Sequence, residues 1–276
     1  MIVSRFAPSP TGRLHLGHAA SALATHDFAR AAAGRFLLRI EDIDAGRSRP
    51  EYVDGILQDL GWLGVTWDEP PLRQSTRMTA YAKALQVLQA TDVVYPCFCT
   101  RRDIEEALSA PQADTRIGPD GALYPGTCRA LDTAAVRRRT QTEAHAWRLD
   151  SQKAADVTGA LTFTDHDVTL DVQPYLLGDV VIARKDAGTS YHLACTVDDA
   201  YQGVTDIVRG VDLLPSTHVH RTLQALLGLP EPRYRHHKLI LGKDGERLAK
   251  RNGAAALAEM RASGLTLADI RARLSS

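Results

Sequence analysis

The chain is poor in cysteine, methionine and tryptophan, with four, three and three among 276 residues, and carries no excess of either charge, 33 Lys plus Arg against 33 Asp plus Glu. Four cysteines in a chain this long are too few for a disulfide scaffold. A net charge of zero excludes nucleic-acid binding through a uniformly basic surface, though not through a local groove. Apolar runs are short: Tyr175 to Leu177 and Val180 to Ala183 fall far below the roughly 20 residues of a bilayer-spanning helix. The opening MIVSRFAPSP lacks the basic, apolar and small-residue parts of a secretory signal, so a cytoplasmic location is expected. No repeat with a period of roughly 20 to 50 residues is visible, which removes solenoids and propellers. What remains, with 44% hydrophobic and 24% charged residues, is an ordinary globular chain of one large or two modest domains.

The pattern that is present is mixed α and β. Ile2 to Ala7 reads as a buried strand that stops at the turn Pro8-Ser9-Pro10-Thr11-Gly12. An Ala-rich helix is expected from Gly17 to Ala33, with Gly34 at its C-cap. Arg35 to Ile40 is the next strand, ending in the acidic cluster Glu41, Asp42 and Asp44. Strand, turn, helix and strand open a parallel α/β sheet, in which ligands bind outside the carboxyl ends of the strands. Helices are predicted at Glu51 to Leu60 and Thr76 to Leu88, after which the texture changes near Tyr95. We read four segments: residues 1–94 as the first half of a catalytic domain, 95–186 as an inserted module, 187–235 as the second half, and 236–276 as a loop with a short helical tail.

Three constellations stand out. His15-Leu16-Gly17-His18 opens a helix directly after a strand and a Pro/Gly turn. Two imidazoles three residues apart would share a helix face, where the helix N-terminus favours a phosphate, and Gly17 would let a flat ring approach. Two surface histidines in a turn are the plainer reading. Cys97, Cys99 and Cys128 suit Zn²⁺ in number and softness, against buried reduced thiols. Cys195 reads as a core residue. Arg137-Arg138-Arg139 with Arg101, Arg102, Arg129 and Arg148 predicts a locally basic insert, either a solvated helix face or a contact to an RNA stem.

Arg5-Phe6-Ala7-Pro8-Ser9-Pro10-Thr11-Gly12 followed by the two histidines resembles the opening of glutamyl-tRNA synthetases and their relatives, class I aminoacyl-tRNA synthetases. The resemblance continues through Arg39-Ile40-Glu41-Asp42-Ile43-Asp44, Tyr191-His192-Leu193-Ala194, Val197-Asp198-Asp199 and Gly203 to Gly210. It reaches Arg247-Leu248-Ala249-Lys250-Arg251, similar to the class I lysine signature, with Ala249 where the family usually has serine. It implies an α/β fold: a Rossmann-like parallel sheet with an inserted zinc-bearing α+β module and a short helical C-terminal tail.

The resemblance also implies roles. Arg5 and Arg209 would bind the two carboxylates of L-glutamate, Glu41 its ammonium, with Ala7, Ser9 and Tyr191 completing the amino-acid site. Which arginine takes the side-chain carboxylate is left open. The plainer alternatives are an Arg5–Glu41 pair between adjacent strand ends, a core Tyr191 and a solvated Lys250. His15, Gly17, His18 and Lys250 would bind ATP, with His15, His18 and Lys250 acting in catalysis and Mg²⁺ arriving on the phosphates. Tyr124 is implied as the fourth zinc ligand beside Cys97, Cys99 and Cys128, with His145 an alternative on chemistry. One structural Zn²⁺ per chain is expected, and a monomer. Cys195 stands where the family often has an asparagine near the amino acid, so that polar contact would be missing.

The chain ends soon after the lysine signature, where the family continues into anticodon-holding domains. Together with the cysteine insert and the altered signature, this resembles a truncated branch of the family. That branch activates glutamate without tRNA and esterifies it onto queuosine at the wobble position of tRNA(Asp). The alternatives are charging of a tRNA 3′ end with a separate anticodon reader, and a non-catalytic glutamate or nucleotide sensor.

Overall fold

A computed structural model of the protein describes residues 1–109, 116–240 and 255–275. In chain order the elements are β1 (Val3–Phe6), α1 (Leu16–Ala31), β2 (Arg35–Ile40), α2 (Pro50–Trp62), β3 (Leu72–Arg73), α3 (Met78–Ala90), β4 (Val94–Cys97) and α4 (Arg101–Leu108). There follow β5 (Ile117–Gly118), β6 (Gly121–Ala122), α5 (Thr133–Thr142), β7 (Ala146–Leu149), α6 (Ser151–Thr158), β8 (Thr162–Asp165), β9 (Val168–Asp171) and β10 (Val181–Ala183). The last third holds α7 (Tyr191–Tyr201), β11 (Asp206–Gly210), α8 (Leu214–Leu227), β12 (Arg233–His237), α9 (Leu257–Ala262) and α10 (Leu267–Ser275).

Strands β1, β2 and β3 pair in parallel, as do β11 and β12. The two groups meet where the Thr205 N–H donates to Val3 O at 2.9 Å, which brings β11 alongside β1. Because α1 links β1 to β2 and α8 links β11 to β12, the carboxyl ends of these strands face one side, where α/β sheets bind ligands. Strand β8, from within the 95–186 span, joins the same sheet parallel to β12 through the Tyr234–Asp165 pair, with β9 antiparallel outside it.

A second, antiparallel sheet has the order β10-β7-β4. The short apolar run Val180 to Ala183 thus supplies β10, an edge strand of this antiparallel sheet. Pro50 at the start of α2, where its missing N–H costs nothing, and Val53, Ile56 and Leu60 on one face explain that helix's position on the core.

Gly34 corrects the sequence reading. The left-handed residue after α1 is Ala33, at φ 49°, while Gly34 donates its N–H to Ala29 O at 2.8 Å. Glycine is required there by closeness: a Cβ would stand 2.6 Å from Ile2 O. The tail packs into the first half of the chain. Leu257, Met260 and Ile270 join the core of Phe6, Leu14, Ala22 and Leu60, each contributing about 1.5–3 kcal/mol by burial. Arg261 and Arg271 pair with Asp59 and Asp27 on α2 and α1. Among the described residues no helix is long and apolar enough to cross a membrane.

Candidate active site and metal cluster

One cavity of 440 Å³ opens at the carboxyl ends of β1, β2 and β11, and Arg5, Ala7, Ser9, His15, Gly17, His18, Glu41, Tyr191 and Arg209 all line it. Those are all the predicted glutamate and ATP residues except Lys250, which lies outside the described residues, as do Lys243, Arg247, Ala249 and Arg251.

His15 and His18 share the first turn differently from the expected pair on a helix face. His15 is the N-cap of α1, in extended backbone at φ −130°. Its Nδ1 accepts from the Gly17 N–H at 3.2 Å, and His18 Nδ1 accepts from the His15 N–H at 3.1 Å. Two imidazoles thus do the work usually done by Ser/Thr and Glu in a capping box. With both Nδ1 atoms accepting, a neutral ring carries its proton on Nε2, so the hydrogen-bond network assigns two Nε2–H donors at a helix N-terminus, suited to an anion.

Gly17 admits the protein's own ring rather than a ligand's: a Cβ there would lie 3.1 Å and 3.2 Å from His15 ring atoms. Gly17→Ala should displace that ring, weaken the cap by about 1 kcal/mol and lower kcat about tenfold. Steady-state pyrophosphate exchange together with a melting curve checks this; unchanged kcat would show that the position of the His15 ring does not matter to turnover.

The floor of the cavity is a balanced charge cluster. Arg5 grips Asp199 with Nε at 2.8 Å and Nη2 at 3.2 Å. Arg39, fully buried, donates to the same Asp199 at 2.6 Å and to Glu41 at 3.2 Å. Arg5 therefore pairs with Asp199 of helix α7, not with Glu41. Burial opposes ionisation of Asp199, yet Arg39 and then Arg5 hold its carboxyl well below the usual range. Glu41 moves the opposite way because its burial outweighs Arg39.

Cys195 is not in an apolar core. Its Sγ lies 3.5 Å from Arg39, 3.8 Å from Arg5 and 3.5 Å from Asp199, and burial followed by Asp199 pushes its thiol up to about 12. Asp42 and Asp44 leave the cluster: Asp42 accepts from Ser75, and Asp44 pairs with Arg47 and Arg184.

Arg209, 4% exposed, has different company. Its Nε donates to His236 Nε2 at 3.2 Å, Nη2 to Thr217 Oγ1 at 2.6 Å and Nη1 to the Tyr191 hydroxyl at 3.4 Å, with His220 Nδ1 at 3.3 Å. Arg39, Asp199, Thr217 and His236 were not singled out from the sequence. Arg39 and Asp199 were quoted within motifs, but Asp199 stands 160 residues from Arg39 and 194 from Arg5.

In the module, the Sγ atoms of Cys97, Cys99 and Cys128 lie within 4.8 Å of one another. The Tyr124 hydroxyl is 3.4 Å from Cys97 Sγ and 3.5 Å from Cys99 Sγ, while Cys99 and Cys128 are 3.4 Å apart. Zn–S bonds of about 2.3 Å in a tetrahedron place sulfurs nearly that far apart, so the donor set fits Zn²⁺. Backbone N–H groups of Phe98 and Cys128 point at Cys128 Sγ and the Tyr124 oxygen, and Arg148 stacks on the Tyr124 ring at 3.8 Å. His145 is engaged elsewhere, between the rings of Phe98 and Trp147. Cys99→Ser should lower zinc from about one per chain towards zero, read by elemental analysis; full retention would show that Cys99 is not a ligand.

The basic insert is corrected by its acids. Residues 95–186 hold eleven Lys plus Arg against fourteen Asp plus Glu. Arg102, Arg129 and Arg139 pair with Glu106, Asp179 and Glu143, and Arg148 donates to Asp179 O. Of the seven arginines named from the sequence, Arg101, Arg137 and Arg138 have neither an ion pair nor a backbone bond like that of Arg148 among the described residues. Any phosphate contact by this group would fall mainly to those three.

A parallel α/β sheet thus brings a helix N-terminus, two buried arginines and a buried glutamate to one cavity, groups suited to anions and to an ammonium. The chain belongs to the family tRNA synthetases class I (E and Q), catalytic domain, which it matches over residues 1–267, and is therefore a ligase of the class I aminoacyl-tRNA synthetase fold. It is 50% identical to the Glutamyl-Q tRNA(Asp) synthetase of Rhodobacter capsulatus, over 98% of each chain. It is 46% identical to the protein of that name from Nocardia farcinica, over 94% of this chain and 79% of the relative. Among solved structures, a glutamate tRNA ligase from Elizabethkingia meningosepticum in complex with its amino acid superposes with a TM-score of 0.76 at 30% identity. The match covers 91% of this chain and 52% of that one, so this chain spans about half of the ligase.

Proposed function

We propose that the protein activates L-glutamate with ATP and transfers the glutamyl group to the cyclopentenediol of queuosine at the wobble position of tRNA(Asp). The observation that carries the first half is the single cavity in which Arg5, Glu41, Tyr191 and Arg209 stand beside His15 and His18. The transfer half is supported by relatives, matched over up to 98% of their length, that bear the name Glutamyl-Q tRNA(Asp) synthetase.

In the first step an α-carboxylate oxygen of glutamate attacks the α-phosphorus of ATP. The bond to the β-phosphate oxygen breaks and pyrophosphate leaves, giving glutamyl-adenylate. Glu41 takes the ammonium, Arg5 and Arg209 the carboxylates, and Ala7, Ser9 and Tyr191 complete the amino-acid site. His15 and His18 donate to the phosphates, with Lys250 assigned the same charge-stabilising role through the family signature. Mg²⁺ bound to ATP would screen the phosphate charge. In the second step a queuosine ring hydroxyl attacks the carbonyl carbon, its proton is lost, and AMP leaves. The wobble base would be splayed from its loop to reach the cavity. Zinc at Cys97, Cys99, Tyr124 and Cys128 would cross-link the module and take no part in the chemistry.

The test offers labelled glutamate to tRNA(Asp) with and without queuosine and to tRNA(Glu). Labelling of queuosine-bearing tRNA(Asp) alone is expected. Charging of tRNA(Glu), or of tRNA(Asp) lacking queuosine, would overturn the transfer half in favour of 3′-end charging.

A further inference from the structure

Arg5 and Arg209 flank the same cavity, but their charges are handled in opposite ways. Arg5 is neutralised in place by a bidentate grip on Asp199. Arg209 is equally buried and touches only uncharged groups: the rings of His236 and His220, the hydroxyls of Thr217 and Tyr191. No carboxylate of the described residues lies within ion-pair distance of it. A buried cation without a counter-charge is costly unless a ligand brings one.

We propose that Asp165, His236 and Thr217 are positioning residues that hold Arg209 through neutral acceptors, so that its full charge is presented to a carboxylate of the amino-acid substrate. This rests on the glutamate site described above and goes beyond it, since none of the three is among the residues that line the cavity.

The arrangement follows from sheet register. Arg209 and His236 are paired residues of β11 and β12, so the arginine's Nε meets the ring from the neighbouring strand. Strand β8 then brings Asp165 to the far side of that ring: its Oδ2 is 3.1 Å from His236 Nδ1, and its Oδ1 accepts the His236 N–H at 3.1 Å. Because Arg209 Nε donates to Nε2, the neutral ring carries its proton on Nδ1, on the side of the Asp165 carboxylate, which faces that nitrogen at ion-pair distance without hydrogen-bond geometry. A hydrogen on Nε2 would instead point at the guanidinium. Thr217 Oγ1 closes the ring, 3.1 Å from the same Nε2 while accepting from Nη2. Burial, then Arg209, outweigh Asp165 and lower His236 to about 4, so the ring stays uncharged at neutral pH. His192 is held at about 4 by burial and Arg209, and His220 is lowered further for the same two reasons. The cage therefore adds no second positive charge beside the arginine.

The experiment is tRNA-free pyrophosphate exchange by the full chain, with a melting curve for each variant, comparing wild type, His236→Leu, His236→Gln and Asp165→Asn. His236→Leu removes the acceptor and should raise the KM for glutamate about 10- to 100-fold, with kcat and the ATP KM changed less than about threefold. His236→Gln offers an amide oxygen to Arg209 Nε and should recover to within about threefold of wild type. Asp165→Asn, on the half-exposed hairpin, should fall between them. An unmoved glutamate KM in His236→Leu, equal damage in both His236 variants, or a parallel rise in the ATP KM would overturn the proposal. Should His236→Leu not fold, Asp165→Asn decides alone, and an unmoved KM overturns it. If wild type exchanged with another acidic amino acid instead, the glutamate reading would fail, while the same comparison on that amino acid would still decide the positioning.

Discussion

Replacing Arg209 with alanine should raise the KM for glutamate by ~30-fold or more, the equivalent of about 2–5 kcal/mol for truncating one member of a buried charge pair. The expectation follows from its surroundings. The cavity holds two buried arginines, but Arg5 already has Asp199, so Arg209 brings the cation that no carboxylate of the described residues compensates. Without it a bound carboxylate would be desolvated against His236, Thr217 and Tyr191, none of which is charged. Arg209→Lys should not rescue, because an ammonium cannot reproduce the fork that reaches His236 and Thr217 while Nη1 meets Tyr191 and His220. The ATP KM should stay within about threefold. A variant whose glutamate KM is unchanged would place the amino acid elsewhere.

Asp199→Asn should be the most destabilising polar substitution in the cavity floor. It leaves Arg5 and Arg39 facing each other with only Glu41 as a charge, and removing one member of such a buried cluster costs about 3–5 kcal/mol. In a chain of this size that corresponds to a fall in Tm of about 10 °C. The pH dependence has a definite sign. Asp199 has a folded pKa held below its ordinary value of 3.8 by Arg39 and Arg5. Its contribution is therefore fully present above that value and is lost as pH falls through the depressed one. Wild type and Asp199→Asn should differ fully at pH 7 and converge in strong acid. Calorimetry against pH reads this directly, and a constant difference down to the acid limit would mean that Asp199 acts by shape and not by charge.

The parts of this site that were legible in the sequence are local. The strand, Pro/Gly turn and helix from Ile2 to Ala33 announced themselves by composition, and the residues they carry fell into one cavity. The cysteines were legible because metal ligands keep their chemistry wherever the chain folds, though the position of Tyr124 beside them came from family resemblance and not from spacing.

What was hidden was long-range. Asp199 could not be matched to Arg5 and Arg39 from sequence, because the pairs span 194 and 160 residues and form only when α7 packs over the sheet. Strand β12, RYRHH, escaped because its inward positions are Tyr234 and His236, and a buried histidine does not read as apolar. The basic insert was misread by counting arginines without the acids between them, several of which are their partners. Even the two histidines were read with the right location and the wrong geometry, since an imidazole is an unusual N-cap.

The most direct test of the central claim is pyrophosphate exchange by the purified full chain, without tRNA, across all twenty amino acids. The account predicts exchange with L-glutamate alone, lost in Arg209→Ala. Exchange that requires tRNA, or that proceeds equally with glutamine, would contradict it.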